Sequence, residues 1–182
     1  MENKIKILDK TFKPMIPAKD IDKAIDEVAQ KLNADYSNTE QPPILVGILN
    51  GAVVFLTDLI RKVNFLHEIA FLRVSSYEGT NSTGNIKMHL GLEIDITNRD
   101  VIIVEDIVDT GSSIDYLIRY IQSFSPKSVN VCSLFFKPEK YRYSHEIKYP
   151  AMNIGNEFIV GFGLDYDQLG RNLKDIYVVC DE

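Results

Sequence analysis

The chain of 182 residues sets 26 acidic against 20 basic side chains, a formal net charge of −6, with 45% of its residues apolar. That balance suits one domain with a sizeable core, excludes a chain disordered throughout and weighs against a nucleic-acid-binding surface. Two cysteines without metal-ligand spacing, no apolar run of about 18 residues and no signal-like amino terminus predict a single cytoplasmic domain over residues 1–182, with no membrane partner.

Residues 4–8 alternate like a short edge strand, and residues 10–17, with two prolines, read as a connection. Ile21, Ile25, Val28 and Leu32 recur at helical spacing, which predicts a helix over 18–32 with Asp20 and Asp22 in its first turn. A polar loop over 33–43 then leads to a buried strand at 44–49. Asn50 and Gly51 open a second helix running to about residue 62. Small residues at its start leave room for an anion, and an ordinary tight turn between strand and helix explains them equally well.

A strand is expected at 65–74. The stretch 75–98 is rich in Gly, Ser, Thr and Asn and too long for a plain connection, which points to a lid or binding loop. Apolar residues alternate from Ile86 to Ile96 on either side of Gly91, predicting a hairpin, and leave 76–85 as the mobile part.

The most informative stretch is 101–113, VIIVEDIVDTGSS. Four consecutive β-branched residues read as a parallel strand buried on both faces. Glu105 and Asp106 therefore sit at its carboxyl end, where open α/β sheets bind ligands. Asp109, Thr110, Gly111, Ser112 and Ser113 form a turn into a helix whose apolar face is Ile114, Leu117, Ile118 and Ile121. The unpaired N–H groups of a first helical turn, beside hydroxyls, suit a phosphate. Carboxylates would repel a bare phosphate, so the neighbouring acids suit sugar hydroxyls, Mg²⁺ or work as a base. A phosphorylated sugar satisfies both halves.

Residues 129–136 form a further parallel strand that delivers Lys137 to the same edge. The stretch 138–156 is polar and aromatic without a period; His145 lacks ligand partners and reads as a surface residue. Residues 157–166 carry a strand into a glycine-marked turn with Asp165, Arg171 offers a planar guanidinium for an oxyanion, and a last strand follows at 176–180. The strands and helices together predict right-handed β-α-β units and a parallel sheet covered on both faces.

The stretch 101–113 resembles the phosphoribosyl-diphosphate signature of the type I phosphoribosyltransferases, and the chain is similar throughout to their hypoxanthine-guanine branch. The resemblance implies a helix-flanked parallel sheet with a small hood, contributed by roughly 1–15 and 138–175, and a cis peptide just before Asn50. It implies transfer of a 5-phosphoribosyl group from phosphoribosyl diphosphate to hypoxanthine or guanine, with Mg²⁺ as cofactor. Glu105 and Asp106 would meet the ribose hydroxyls and, with Asp165, the metal. Residues Asp109, Thr110, Gly111, Ser112 and Ser113 would hold the 5-phosphate, and Asp109 would take the purine proton. Asn50, Gly51 and Arg171 would bind diphosphate; Lys137, Phe158, Ile159 and Asp165 would bind the base; Ser76 and Tyr77 would belong to a lid. The bare residues read Phe158 and Ile159 as strand core and Lys137 as a strand-end cap. The family's usual lysine is Asn50 here, and Ser112 stands where relatives often carry a larger or basic residue. A homodimer or homotetramer is implied as well. The alternatives are transfer to xanthine or another base and a non-catalytic nucleotide sensor.

Overall fold

The computed structural model describes residues 4–76 and 86–181. The elements in chain order are β1 (Ile5–Ile7), β2 (Lys10–Ile16), α1 (Ala18–Tyr36), β3 (Ile44–Leu49), α2 (Ala52–Ile60), β4 (Glu68–Ser76), β5 (Ile86–Leu90), β6 (Asp100–Val108), α3 (Ser112–Gln122), β7 (Ser128–Phe136), β8 (Tyr149–Asn153), β9 (Ile159–Val160) and β10 (Ile176–Cys180).

The apolar runs centre a six-stranded sheet in the order β5-β4-β3-β6-β7-β8. All its neighbours are parallel except β5, which runs antiparallel to β4. In β6 the side chains alternate between two fully buried faces. Ile102 and Val104 pack with Ile21, Ile25 and Leu32 of α1 and Phe55 and Leu59 of α2. Val101 and Ile103 pack with Ile114, Leu117, Ile118 and Ile121 of α3. A strand buried on both sides has no polar face to alternate with, which explains its sequence. Each of these side chains contributes about 1.5–3 kcal/mol by leaving water.

A second sheet, antiparallel, has the order β1-β2-β10-β9. Two expectations change here. Residues 10–16 are a strand despite Pro14, because β1 pairs only with residues 10–12 and Pro14 lies past that pairing, where its missing N–H costs no ladder bond on that side. The span 138–175 divides: β9 joins the small sheet, whereas β8 adds to the edge of the large one beside β7. The carboxylate of Asp175, just before β10, accepts from the N–H of Ala18 at 2.7 Å, tying the small sheet to the start of α1.

Other boundaries move for tertiary reasons. Helix α1 continues to Tyr36 because that ring is buried and its hydroxyl accepts from Asn130 Nδ2 at 2.9 Å. Only the first half of the expected hairpin is strand. β5 ends at Leu90, and at Gly91 the Tyr120 hydroxyl occupies the space a side chain would need and accepts from Leu92 N–H at 3.2 Å. Ile94 and Ile96 then pack into the α3-side core. Among the described residues, no helix is long and apolar enough to cross a membrane.

Candidate functional site

The carboxyl ends of β3, β6 and β7 meet at one edge of the large sheet. Residues 105–114 line a cavity of about 190 Å³ there, so the sugar- and phosphate-binding residues expected from the sequence surround one space.

Glu105 and Asp106 form its floor. Burial and the neighbouring Asp106 charge push the Glu105 carboxyl well above the usual carboxylate range. Burial also raises Asp106, against the opposing pull of its hydrogen bond with Glu105, the Ile107 N–H at 2.8 Å and the Arg171 charge. The two acids hold a proton more tightly than free carboxylates do, because two adjacent negative charges out of water repel each other.

The glycine at position 51 allows the β3–α2 turn to lie directly on this floor. A side chain there would stand 1.7 Å from Asp106 Oδ2. The Leu49–Asn50 peptide is cis, as the resemblance implied, and Asn50 is exposed. Gly163, at φ +99°, comes against the Gly51 carbonyl from the opposite side. Arg171 donates to the Gly163 carbonyl at 2.8 Å and pairs with Asp165 at 2.7 Å. Asp165 also accepts from the Gln168 N–H at 2.7 Å. Arg171 and Asp165 thus brace the Gly163 turn, which packs on the Gly51 carbonyl. Among the described residues, no three Asp, Glu, His or Cys side chains stand together at metal-ligating distances.

At the start of α3, Gly111 adopts φ +91° and no side chain caps the helix. Thr110 and Ser112 are exposed and their hydroxyl oxygens lie 3.2 Å apart. The segment after Lys137 wraps over this turn. Arg142 N–H donates to the Thr110 carbonyl at 3.1 Å, and the rings of Tyr141 and Tyr143 pack where a side chain at 111 would be. His145, expected on the surface, is partly exposed there and lies 3.2 Å from the buried Asp115, which also pairs with Arg119 at 2.6 Å. An aperiodic loop gives no sequence signal of such a contact.

On the far side of Asp109 lie two lysines. Lys137 is almost fully buried and donates to Asp109 Oδ2 at 3.1 Å and to the Glu157 carbonyl at 2.9 Å. Lys140, which the sequence reading did not single out, reaches the same Oδ2 at 3.4 Å. Its only trace in the sequence is its place three residues after Lys137, and the turn is closed by the Lys140 N–H on the Lys137 carbonyl.

Phe158 is 44% exposed, so it is not strand core. Its ring centroid lies 6.3 Å from Phe12 and 5.8 Å from Tyr166. Ile159 is buried in the core, and its backbone pairs with Val178 in β10. Ser76 ends β4, whereas Tyr77 and the rest of the expected lid lie outside the described residues. Cys132 is buried with its thiol pushed far up by desolvation, and both cysteines are free.

The family model described as a phosphoribosyl transferase domain matches residues 17–167. A hypoxanthine-guanine phosphoribosyltransferase of Streptococcus agalactiae is 40% identical, covering 100% of this chain and 97% of its own length. A hypoxanthine phosphoribosyltransferase of Buchnera aphidicola is 37% identical, covering 91% and 94%. A crystal structure of a hypoxanthine-guanine phosphoribosyltransferase from Bacillus anthracis superposes with a TM-score of 0.87 at 31% identity, covering 92% of this chain and 98% of that one.

Proposed function

The chain belongs to the type I phosphoribosyltransferases, and we propose that it transfers the 5-phosphoribosyl group of phosphoribosyl diphosphate to hypoxanthine and guanine, releasing diphosphate. The observation that carries the substrate reading is the Lys137–Asp109 pair beside the phosphate turn. An ammonium group has three hydrogens to donate and no lone pair. Two of the Lys137 hydrogens are engaged by Asp109 and the Glu157 carbonyl. The third suits a carbonyl oxygen on a base and offers nothing to the exocyclic amine of adenine.

The residues then divide the work. The first turn of α3, with Thr110, Gly111, Ser112 and Ser113, holds the 5-phosphate through backbone N–H groups and hydroxyls. Glu105 and Asp106 accept from the ribose hydroxyls. The exposed ring of Phe158 supplies a stacking face for the base, and the backbone of Ile159 borders it. Arg171 and the Asn50–Gly51 turn face the diphosphate, where negative charge grows as the anomeric bond breaks. Asp109 receives the purine proton as the ring nitrogen forms its bond to the sugar, so that no free purine anion has to accumulate.

Two adjacent carboxylates of raised proton affinity, Asp106 buried and Glu105 half-buried, are a donor set that suits a hard dication, and they would hold Mg²⁺ directly or through water. Asp165, tied to Arg171, would face it from across the Gly51 turn. When bound, Mg²⁺ supplies charge neutralisation at the leaving diphosphate. A homodimer or homotetramer is part of the same proposal and is checked by sedimentation.

The decisive experiment is nucleotide formation from phosphoribosyl diphosphate with hypoxanthine, guanine, xanthine and adenine, with and without Mg²⁺. Nucleotide from hypoxanthine and guanine but not adenine is the expected result. Equal use of adenine would refute the base-pocket assignment, and no nucleotide from any base would refute the transferase reading.

A further inference from the structure

The 5-phosphate turn has a neighbour that none of the chemistry above uses. Ser112 lines both the acidic cavity and an adjoining recess of about 330 Å³, which it shares with Ile86, Asp115, Tyr116, Arg119 and Tyr143. Across that boundary the Tyr143 hydroxyl donates to Ser112 Oγ at 3.4 Å, and Ser112 Oγ in turn lies 3.2 Å from Thr110 Oγ1. Three hydroxyls thus run in a chain along the mouth of the helix.

Tyr143 is held there by packing. Its ring abuts Gly111, and its centroid is 6.2 Å from that of Tyr141. Tyr141 is fixed by edge contact with Phe136 at 5.4 Å and donates its hydroxyl to the His145 carbonyl at 2.8 Å. His145 is in turn placed on Asp115 at the base of the same helix turn. A side chain at position 111 would collide with Tyr141, so the glycine admits the tyrosines as well as the backbone conformation.

A serine hydroxyl has one hydrogen to give and two lone pairs to accept with. When Tyr143 donates into Ser112 Oγ, one lone pair is occupied and the serine hydrogen is directed elsewhere. We propose that Tyr143 is a positioning residue of the phosphate site: its hydroxyl orients Ser112 so that the serine hydrogen is given to an oxygen of the phosphomonoester. Without the tyrosine hydroxyl, Ser112 Oγ loses the donor that fixes one of its lone pairs, and its hydroxyl turns freely between Thr110, solvent and the phosphate. The inference rests on the phosphoribosyl transfer reading and adds a residue to its phosphate site.

The test uses the full chain and Tyr143→Phe, which keeps the ring on Gly111 and removes only the hydroxyl. KM for phosphoribosyl diphosphate and for the base are measured, with the affinities for inosine 5′-monophosphate and for inosine. Tyr143→Phe should weaken both phosphorylated ligands roughly three- to tenfold, the size of one net hydrogen bond, and leave inosine and the base unchanged. In Ser112→Ala the same tyrosine change should add nothing, because its effect passes through the serine. Equal losses for inosine and its monophosphate, unchanged phosphate affinity, or full additivity with Ser112→Ala would each overturn the inference while wild-type transfer stands. A wild-type chain that forms no nucleotide would overturn the underlying reading and the inference together.

Discussion

Strand β6 ends in three acids, and their surroundings are opposite. Glu105, half-buried, and Asp106, buried, lie side by side against a glycine turn, and both hold their protons more tightly than free carboxylates do. Asp109, three residues on, receives two ammonium groups on one oxygen. The first pair bonds to itself and to the Ile107 N–H, with no ammonium group of the described residues on either carboxylate; the second site draws both of its cations from the turn after β7. Carboxylates of one short segment thereby sit in different charge environments because different strands and turns face them.

The sharpest break of this contrast is at Asp109. Asp109→Asn should lower turnover by about 10²-fold or more, the scale of general-base assistance, with affinity for phosphoribosyl diphosphate nearly retained. Steady-state kinetics with hypoxanthine measure it, and wild-type turnover in that variant would remove the proton-accepting role. Lys137→Met should lower kcat/KM for hypoxanthine by roughly 10- to 100-fold, since a hydrogen bond involving a charged group is worth about 1.5–3 kcal/mol. A loss confined to phosphoribosyl diphosphate would show that Lys137 serves the other substrate. Lys140→Met should cost only about two- to fivefold, because a half-exposed ion pair contributes less than 1 kcal/mol. A larger loss than at Lys137 would reverse the order of the two cations.

The Glu105–Asp106 floor is tested by pH. Both carboxyls are raised in the folded chain, so folding favours their protonated forms. Stability from this pair is greatest below the unfolded pKa and declines as pH rises toward the folded values. In metal-free buffer, Tm should therefore fall as pH rises above the ordinary carboxylate range, more steeply for the wild type than for Glu105→Gln. Mg²⁺ should recover part of the difference in the wild type by binding only the folded chain. Parallel Tm profiles in the two proteins would contradict the assignment. The smallest effect is expected far from the site, at Tyr149, whose hydroxyl donates to Asp35 at 2.5 Å on the α1–β8 contact. Tyr149→Phe should lower stability by about 1 kcal/mol with both KM values unchanged, as expected of a polar contact that only holds α1 to the sheet.

The run 101–113 declared its strand, its acids and its glycine turn without help, because a strand buried on both faces and a left-handed turn each restrict the residues allowed at their own positions. The same local logic located α1, α2, α3 and the last strand, and the resemblance assigned Arg171 and Lys137 to the site. Tertiary structure alone decided that β2 is a strand in spite of Pro14, that β8 extends the large sheet and that His145 meets Asp115. It also paired Lys137 and Lys140 with Asp109 and set Gly51 against Asp106. Those contacts join residues distant in the chain, and no periodicity records a partner on another strand. Turn and burial preferences act on neighbouring residues, whereas charge environment and hydroxyl geometry depend on which strands the sheet brings side by side.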